Sequence, residues 1–135
     1  DPLVYEFYEM GAPETSNHLA FGTSITYPGK VGNEYFMTKG HYHTILETGE
    51  LYLCLSGEGF MMMKTTDGDC VWERFERGRM VYVPPCWAHR SINTGKTPLI
   101  SFCAYQADAG HNYGDIATEG FPNRVFIRSG KIVVE

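Results

Sequence analysis

Four side chains in this sequence have the types and spacing to hold one divalent ion: His41, His43, Glu50 and His89. The histidines of His41-Tyr42-His43 are two residues apart. On an extended strand such residues point to the same face, so two imidazoles can converge on one ion. Taken alone, the triplet also fits a solvated strand face. The residues that follow favour ligation. Thr48-Gly49 offers a turn, and Glu50 to Leu55 reads as the return strand. Leu51, Leu53 and Leu55 share one face of that strand; Glu50, Tyr52 and Cys54 share the other. A hairpin can bring the Glu50 face beside the histidines. Glu47 is the rival carboxylate, nearer in sequence but inside the loop and outside the alternation. His89 follows an abrupt Pro84-Pro85 corner that can aim the next strand back across a barrel mouth. Its plainer alternative is a core histidine satisfied by a backbone carbonyl. Three neutral imidazoles and one carboxylate suit Fe²⁺, Mn²⁺, Ni²⁺, Co²⁺ or Zn²⁺. On an octahedral ion they leave about two positions for water or substrate oxygens.

The elements that must position these residues are short strands. Phe60 to Thr65 and Cys70 to Phe75 flank Asp67-Gly68, a tight-turn signal. Arg79 to Val83 ends at the Pro84-Pro85 corner, and Leu99 to Tyr105 follows the turn Asn93-Thr94-Gly95-Lys96. Val125 to Arg128 and Lys131 to Val134 flank Ser129-Gly130 as a further hairpin. Helical periodicity is confined to Ala109–Thr118 and Pro13–Leu19. The pattern predicts an all-β protein, a small antiparallel β-barrel or jelly roll with at most short helices. A length of 135 residues, with no linker or repeat, predicts a single domain over 1–135.

Net charge of −5 argues against nucleic acid or an anionic membrane surface as the main partner, since both demand a basic face. No apolar run approaches the ~20 residues of a membrane span. The start, Asp1-Pro2-Leu3-Val4-Tyr5-Glu6, lacks the basic residues and long apolar stretch of a secretory signal. A cytoplasmic location is therefore expected, with Cys54, Cys70, Cys86 and Cys103 as buried or half-buried free thiols. The apolar runs Leu3-Val4-Tyr5 and Phe7-Tyr8 are candidates for pairing with a second chain, which predicts a homodimer.

These residues resemble the cupin superfamily. Its first motif carries HxH and a downstream Glu, then six residues and Gly, matched by Glu50 and Gly57. Its second is matched by Gly78, Pro84, His89 and Asn93, with Cys86 where cupins usually have Gly. Six residues separate His43 from Glu50, where most cupins have three or four, and Tyr35 replaces the usual upstream Gly. The longer loop is similar to that of one subgroup, the cupin-type phosphoglucose isomerases. Tyr27 to Tyr35, Thr38 to His43, Tyr82 to Arg90 and Tyr105 to Gly114 all look like that family. The last stretch has no counterpart in generic cupins.

The resemblance implies interconversion of glucose 6-phosphate and fructose 6-phosphate, a step of glycolysis and gluconeogenesis. It implies one divalent ion per chain, Fe²⁺ first, on His41, His43, Glu50 and His89. It places Ser24, Thr38, Gly40, Tyr105, His111 and Tyr113 at positions that hold the sugar phosphate or line its pocket, and Tyr52 at a pocket tyrosine beside Glu50. Glu50 is the candidate proton carrier of a cis-enediol route, whereas a direct hydride shift would lean on the metal. With no glycine-rich phosphate loop, hydroxyls and backbone N–H groups near Gly40 must supply the donors. Lys39 and Arg90 fit a solvated edge. Two other readings compete: a metal-dependent cupin oxygenase, with a more apolar pocket, and a non-enzymatic sugar-binding cupin, in which metal ligands would be lost.

Overall fold

The computed structural model of the chain describes residues 2–135. A five-stranded sheet is built from β1 (Tyr5–Met10), β2 (Leu19–Thr26), β5 (Glu50–Ser56), β8 (Met80–Val83) and β10 (Leu99–Gln106), in the order β1-β2-β10-β5-β8. Facing it is a three-stranded sheet of β7 (Cys70–Glu76), β6 (Glu58–Lys64) and β9 (Ala88–Asn93). The outermost sheet joins β3 (Lys30–Val31), β4 (Glu34–Tyr35), β11 (Val125–Arg128) and β12 (Lys131–Val134), and one short helix, α1, spans Gly114–Glu119. Every paired strand is antiparallel, as the turn-punctuated sequence requires. Among the described residues, no helix is long and apolar enough to cross a membrane.

The run Met61-Met62-Met63 shows how the layers are made. Met61 and Met63 pack with Tyr52, Phe75, Val83 and Cys103 in a core between the first two sheets. Met62 points the other way and packs with Tyr42, Ile92, Ile116, Phe121 and Val125 beneath the helix and the outermost sheet. A middle strand covered on both faces has no polar side, so β6 carries no alternation. Each such side chain contributes about 1.5–3 kcal/mol on burial. β5 is the opposite case. Glu50, Tyr52 and Cys54 are buried, while Leu51 and Leu55 are exposed on the outer face.

Both helix expectations are corrected. Pro13 to His18 forms turns, with Thr15 N–H on the Pro13 carbonyl and His18 N–H on that of Thr15, and Leu19 opens β2. Helix α1 begins at Gly114 and not at Ala109, because Asn112 exchanges backbone hydrogen bonds with Tyr42 and keeps the chain extended. The Asn112 side chain then accepts from Gly114 N–H at 3.1 Å, which starts the helix. The four cysteines carry free thiols, and Cys86 is exposed where burial or half-burial was expected. Cys86 has φ 73°, in the left-handed region, at the motif position usually filled by glycine.

Candidate metal centre and substrate pocket

His41 and His43 lie on a stretch that is strand-like only in part. His41 bridges to His89 on β9, and Tyr42 bridges to Asn112. The alternation nevertheless survives: Tyr42 turns into the core, and the two imidazoles lie on the other side, their centroids 5.8 Å apart. Glu50 is the first residue of β5 and pairs with Tyr105 on β10 and Val83 on β8. His89 enters on β9, four residues after Pro85 of the Pro-Pro corner, and its ring lies 4.6 Å from that of His41. The structure thus brings together His41, His43, Glu50 and His89, with one ligand atom from each all within 4.8 Å of one another. Glu47 is exposed in the turn before β5.

The hydrogen bonds at His43 decide what fits between these groups. Thr48 donates its hydroxyl proton to the Ile45 carbonyl at 2.7 Å. Its Oγ1 and its own carbonyl therefore both accept from His43 Nδ1, at 2.9 and 3.0 Å. The ring proton is thereby fixed on Nδ1, and the Nε2 lone pair faces Glu50 Oε1 at 2.8 Å. His89 Nε2 lies 3.3 Å from the same oxygen. His41 Nε2 and both ring nitrogens of His89 are buried with no hydrogen-bond partner among the described residues. One proton could relieve only one of these contacts; one cation relieves all of them. The residues therefore fit a bound metal ion once their ligand atoms draw in by a few tenths of an ångström, from the 4.8 Å that bounds them here to the ~4.4 Å spanned by two usual bonds.

Burial pushes the His41 imidazole down to about 2, so its lone pair is free for ligation. Burial alone would raise the Glu50 carboxyl, but the charge of the facing His89 ring, when protonated, and a hydrogen bond from Tyr52 outweigh it and hold Glu50 below the usual carboxylate range. Tyr52 is raised far above an ordinary phenol by burial and by the Glu50 charge.

A cavity opens over this cluster. Ser24, Thr38, Gly40, Tyr52, Tyr105, His111 and Tyr113 all line it. Because Asn112 bridges to Tyr42 and the helix starts only after Tyr113, the His111 and Tyr113 rings stack at 6.0 Å and 12° and face the same space. Burial lowers His111 and raises Tyr113. Thr38 Oγ1 accepts from Ser91 N–H at 3.0 Å, leaving its hydroxyl proton free to donate. Gly40 has φ 82°, and an added Cβ would lie 2.9 Å from Phe121 and 3.1 Å from the His89 carbonyl.

Sequence reasoning missed Tyr5, Phe7 and Ser91 as cavity-lining residues, and placed Lys39 and Arg90 on a solvated edge; all five line the cavity. Arg90 stacks 4.1 Å over Phe121 and donates to the Lys39 carbonyl at 2.5 Å, and burial lowers it to about 10. The Lys39 ammonium lies 5.3 Å from the Tyr113 ring centroid. The aromatic alternation Tyr5-Glu6-Phe7 was the available signal for the β1 residues.

Comparison with known proteins extends these observations. A family model described as glucose-6-phosphate isomerase matches residues 1–135. The chain is 50% identical over 135 residues to glucose-6-phosphate isomerase of Thermococcus litoralis, covering 100% of this chain and 71% of that one. It is 48% identical over 134 residues to that of Pyrococcus furiosus, covering 99% and 71%. Among solved structures, an oxalate oxidase in complex with glycolate gives a TM-score of 0.68 at 14% identity, over 86% of this chain and 58% of that chain. A Bacillus subtilis oxalate decarboxylase gives 0.61 at 22% identity, over 80% and 27%. The chain spans less than two thirds of either structure, and the likeness shows the shared cupin fold alone.

Proposed function

The chain belongs to the glucose-6-phosphate isomerase family, and from that premise we propose that the cavity over His41, His43, Glu50 and His89 is where it interconverts glucose 6-phosphate and fructose 6-phosphate. The observation that carries this is the convergence of four ligand-type side chains beneath a cavity lined by hydroxyls and two cations. His41, His43, Glu50 and His89 would hold one divalent ion, Fe²⁺ by preference among the borderline metals. Such an ion polarises a carbonyl and stabilises negative charge developing on its oxygen.

The chain's own residues do the rest. Thr48 fixes the His43 tautomer, so that Nε2 faces the cluster. Glu50 carries a proton between C1 and C2 of the open-chain sugar. A carboxylate held below its usual range is a weak base, so this role is confined to a C–H already acidified by the neighbouring carbonyl. Ser24, Thr38, Gly40, His111 and Tyr113 hold the phosphate end, while Tyr52 and Tyr105 line the reacting end. The two cations, Lys39 and Arg90, offset the phosphate charge.

Residues 1–135 form one cupin domain on this reading. The acidic chain works as a cytoplasmic homodimer on a small sugar phosphate, without nucleic acid or membrane as partner. The test is an isomerase assay coupled to product oxidation, on metal-stripped and metal-restored protein. Turnover returning with the metal is expected. Oxygen consumption in place of isomerisation would mean an oxygenase, and binding without turnover would mean a sugar-binding protein.

A further inference from the structure

One contact at the cavity wall has no part in the reaction as described. Glu9 is on β1 and Tyr105 is on β10, with β2 between them. In the sheet register Glu9 is opposite Gly22, and Tyr105 is opposite Ala20. The intervening strand therefore presents only two small residues at this point. A side chain from β1 and one from β10 can meet over it, and they do: the Tyr105 hydroxyl donates to Glu9 Oε1 at 2.5 Å. Tyr105 is buried and Glu9 is exposed. Tyr105 and His111 form the wall between the main cavity and a second one, which Glu9 lines.

A phenol has a single proton, and a carboxylate can only accept. With that proton committed to Glu9, the hydroxyl of Tyr105, a residue that lines the main cavity, can only accept from a ligand there. A phosphate dianion offers only acceptors, so it finds no partner there; a sugar hydroxyl does. The cations that line the cavity come from the opposing side, Lys39 from the segment beside β9 and Arg90 from β9 itself. We propose that Glu9 is a specificity-determining positioning residue, which holds Tyr105 as a hydrogen-bond acceptor for a sugar hydroxyl and so keeps the phosphate away from the Tyr105 end of the cavity. This rests on the reading of the cavity as a sugar-phosphate site, and it restricts the role of Tyr105 within it. Removing the Glu9 carboxylate frees the Tyr105 proton and turns Tyr105 into a phosphate donor.

The test uses metal-restored full-length chain, with inorganic phosphate as the probe, titrated by calorimetry, and KM and kcat for fructose 6-phosphate measured alongside. Glu9→Ala should bind inorganic phosphate about three- to tenfold more tightly, the gain of one hydrogen bond to a charged acceptor beside an exposed position. Glu9→Gln should stay near wild type, because the amide oxygen still accepts from Tyr105. In the double variant Glu9→Ala with Tyr105→Phe, the gain should vanish. Tyr105→Phe alone should raise KM for fructose 6-phosphate and leave phosphate binding unchanged. Unchanged or weaker phosphate binding in Glu9→Ala overturns the proposal. So does an equal gain in Glu9→Gln, which would make charge repulsion the whole effect, or a gain that persists in the double variant. Glu9 is exposed, so its variants should fold; if Tyr105→Phe does not, the alanine–glutamine comparison still decides. Wild-type turnover tests the isomerase reading separately, since the phosphate titration needs none.

Discussion

His43 Nε2 and Glu50 Oε1 face each other at 2.8 Å although both are acceptors once Thr48 has fixed the ring proton on Nδ1. Glu47 is nearer to His43 in sequence yet exposed in the turn. The two glutamates therefore give opposite expectations. Glu50→Gln should lower kcat by at least about a hundredfold, the usual worth of a positioned acid–base group. It should also lower metal content. Glu47→Gln should be near neutral in both. With Glu50 carrying the proton, solvent deuterium should enter the product during turnover in D₂O. Product free of deuterium would remove the base role, and a severe Glu47→Gln effect would overturn the strand register.

The β5 register was legible because Glu50, Tyr52 and Cys54 alternate with leucines, and the hairpins at Asp67-Gly68 and Ser129-Gly130 because such turns need those residues. The left-handed backbone at Cys86 accounts for the glycine usual there. Other features were hidden for physical reasons. β3 and β4 have two residues each, too few for any period to show. β9 is covered on both faces, so nothing local marked Arg90 as a cavity residue stacked on Phe121. The Glu9–Tyr105 contact joins residues 96 apart, and its cause is the small pair Ala20 and Gly22 on a third strand.

Gly40 links the backbone to the ligand cluster. At φ 82° a side chain is strained, and its Cβ would press on Phe121 and on the His89 carbonyl. Gly40→Ala should cost about 1–3 kcal/mol of stability. Because His41 is the next residue and bridges to His89, metal content should fall as well. Gly11→Ala is the control, with nothing within 4 Å of the added Cβ. Thermal unfolding and metal analysis of both variants check this, and equal behaviour would refute it.

Acid should destabilise the metal-free protein. Folding depresses His41 from 6.5 to about 2, chiefly by burial. Between those values the unfolded chain binds a proton that the folded chain does not, so stability rises with pH across that window. The His41 contribution is fully present above 6.5 and is lost as pH falls, at most about 2 kcal/mol by pH 5. The depressed Glu50 carboxyl acts in the same direction at lower pH. Urea unfolding at pH 7, 6 and 5 measures this, and a flat profile would contradict it.

The outer face of the five-stranded sheet argues for a homodimer. Leu51, Leu55, Met80 and Tyr82 are exposed on β5 and β8, and Tyr8, Met10 and Phe21 on β1 and β2. β1 pairs along its length with β2 of the same chain, so only its outer edge is free for the second chain expected from the sequence. Light scattering should give twice the chain mass at micromolar concentration, and a monomer there would refute the dimer. Leu51→Lys combined with Met80→Lys should dissociate it if the sheet face is the contact.

Phosphate selectivity separates a sugar-phosphate isomerase from any other use of the same metal cluster. Thr38 keeps a free hydroxyl proton because its oxygen already accepts from Ser91 N–H, and Tyr113 shares the cavity with His111 because the Tyr42–Asn112 bridge keeps the helix from starting before Gly114. No single one of these donors matches the phosphate charge, so binding rests on several bonds of about 1.5–3 kcal/mol each. Losing one should weaken binding by roughly ten- to a hundredfold. Tyr113→Phe and Thr38→Val should therefore raise KM for fructose 6-phosphate while metal content stays at the wild-type level. Thr38→Ser keeps both the acceptor for Ser91 and the free proton, and should behave as wild type. Free fructose should be a very poor substrate, since it gives up every phosphate bond at once. Equal turnover of fructose and fructose 6-phosphate would remove the phosphate site, and the assignment of this cavity to the isomerase reaction would go with it.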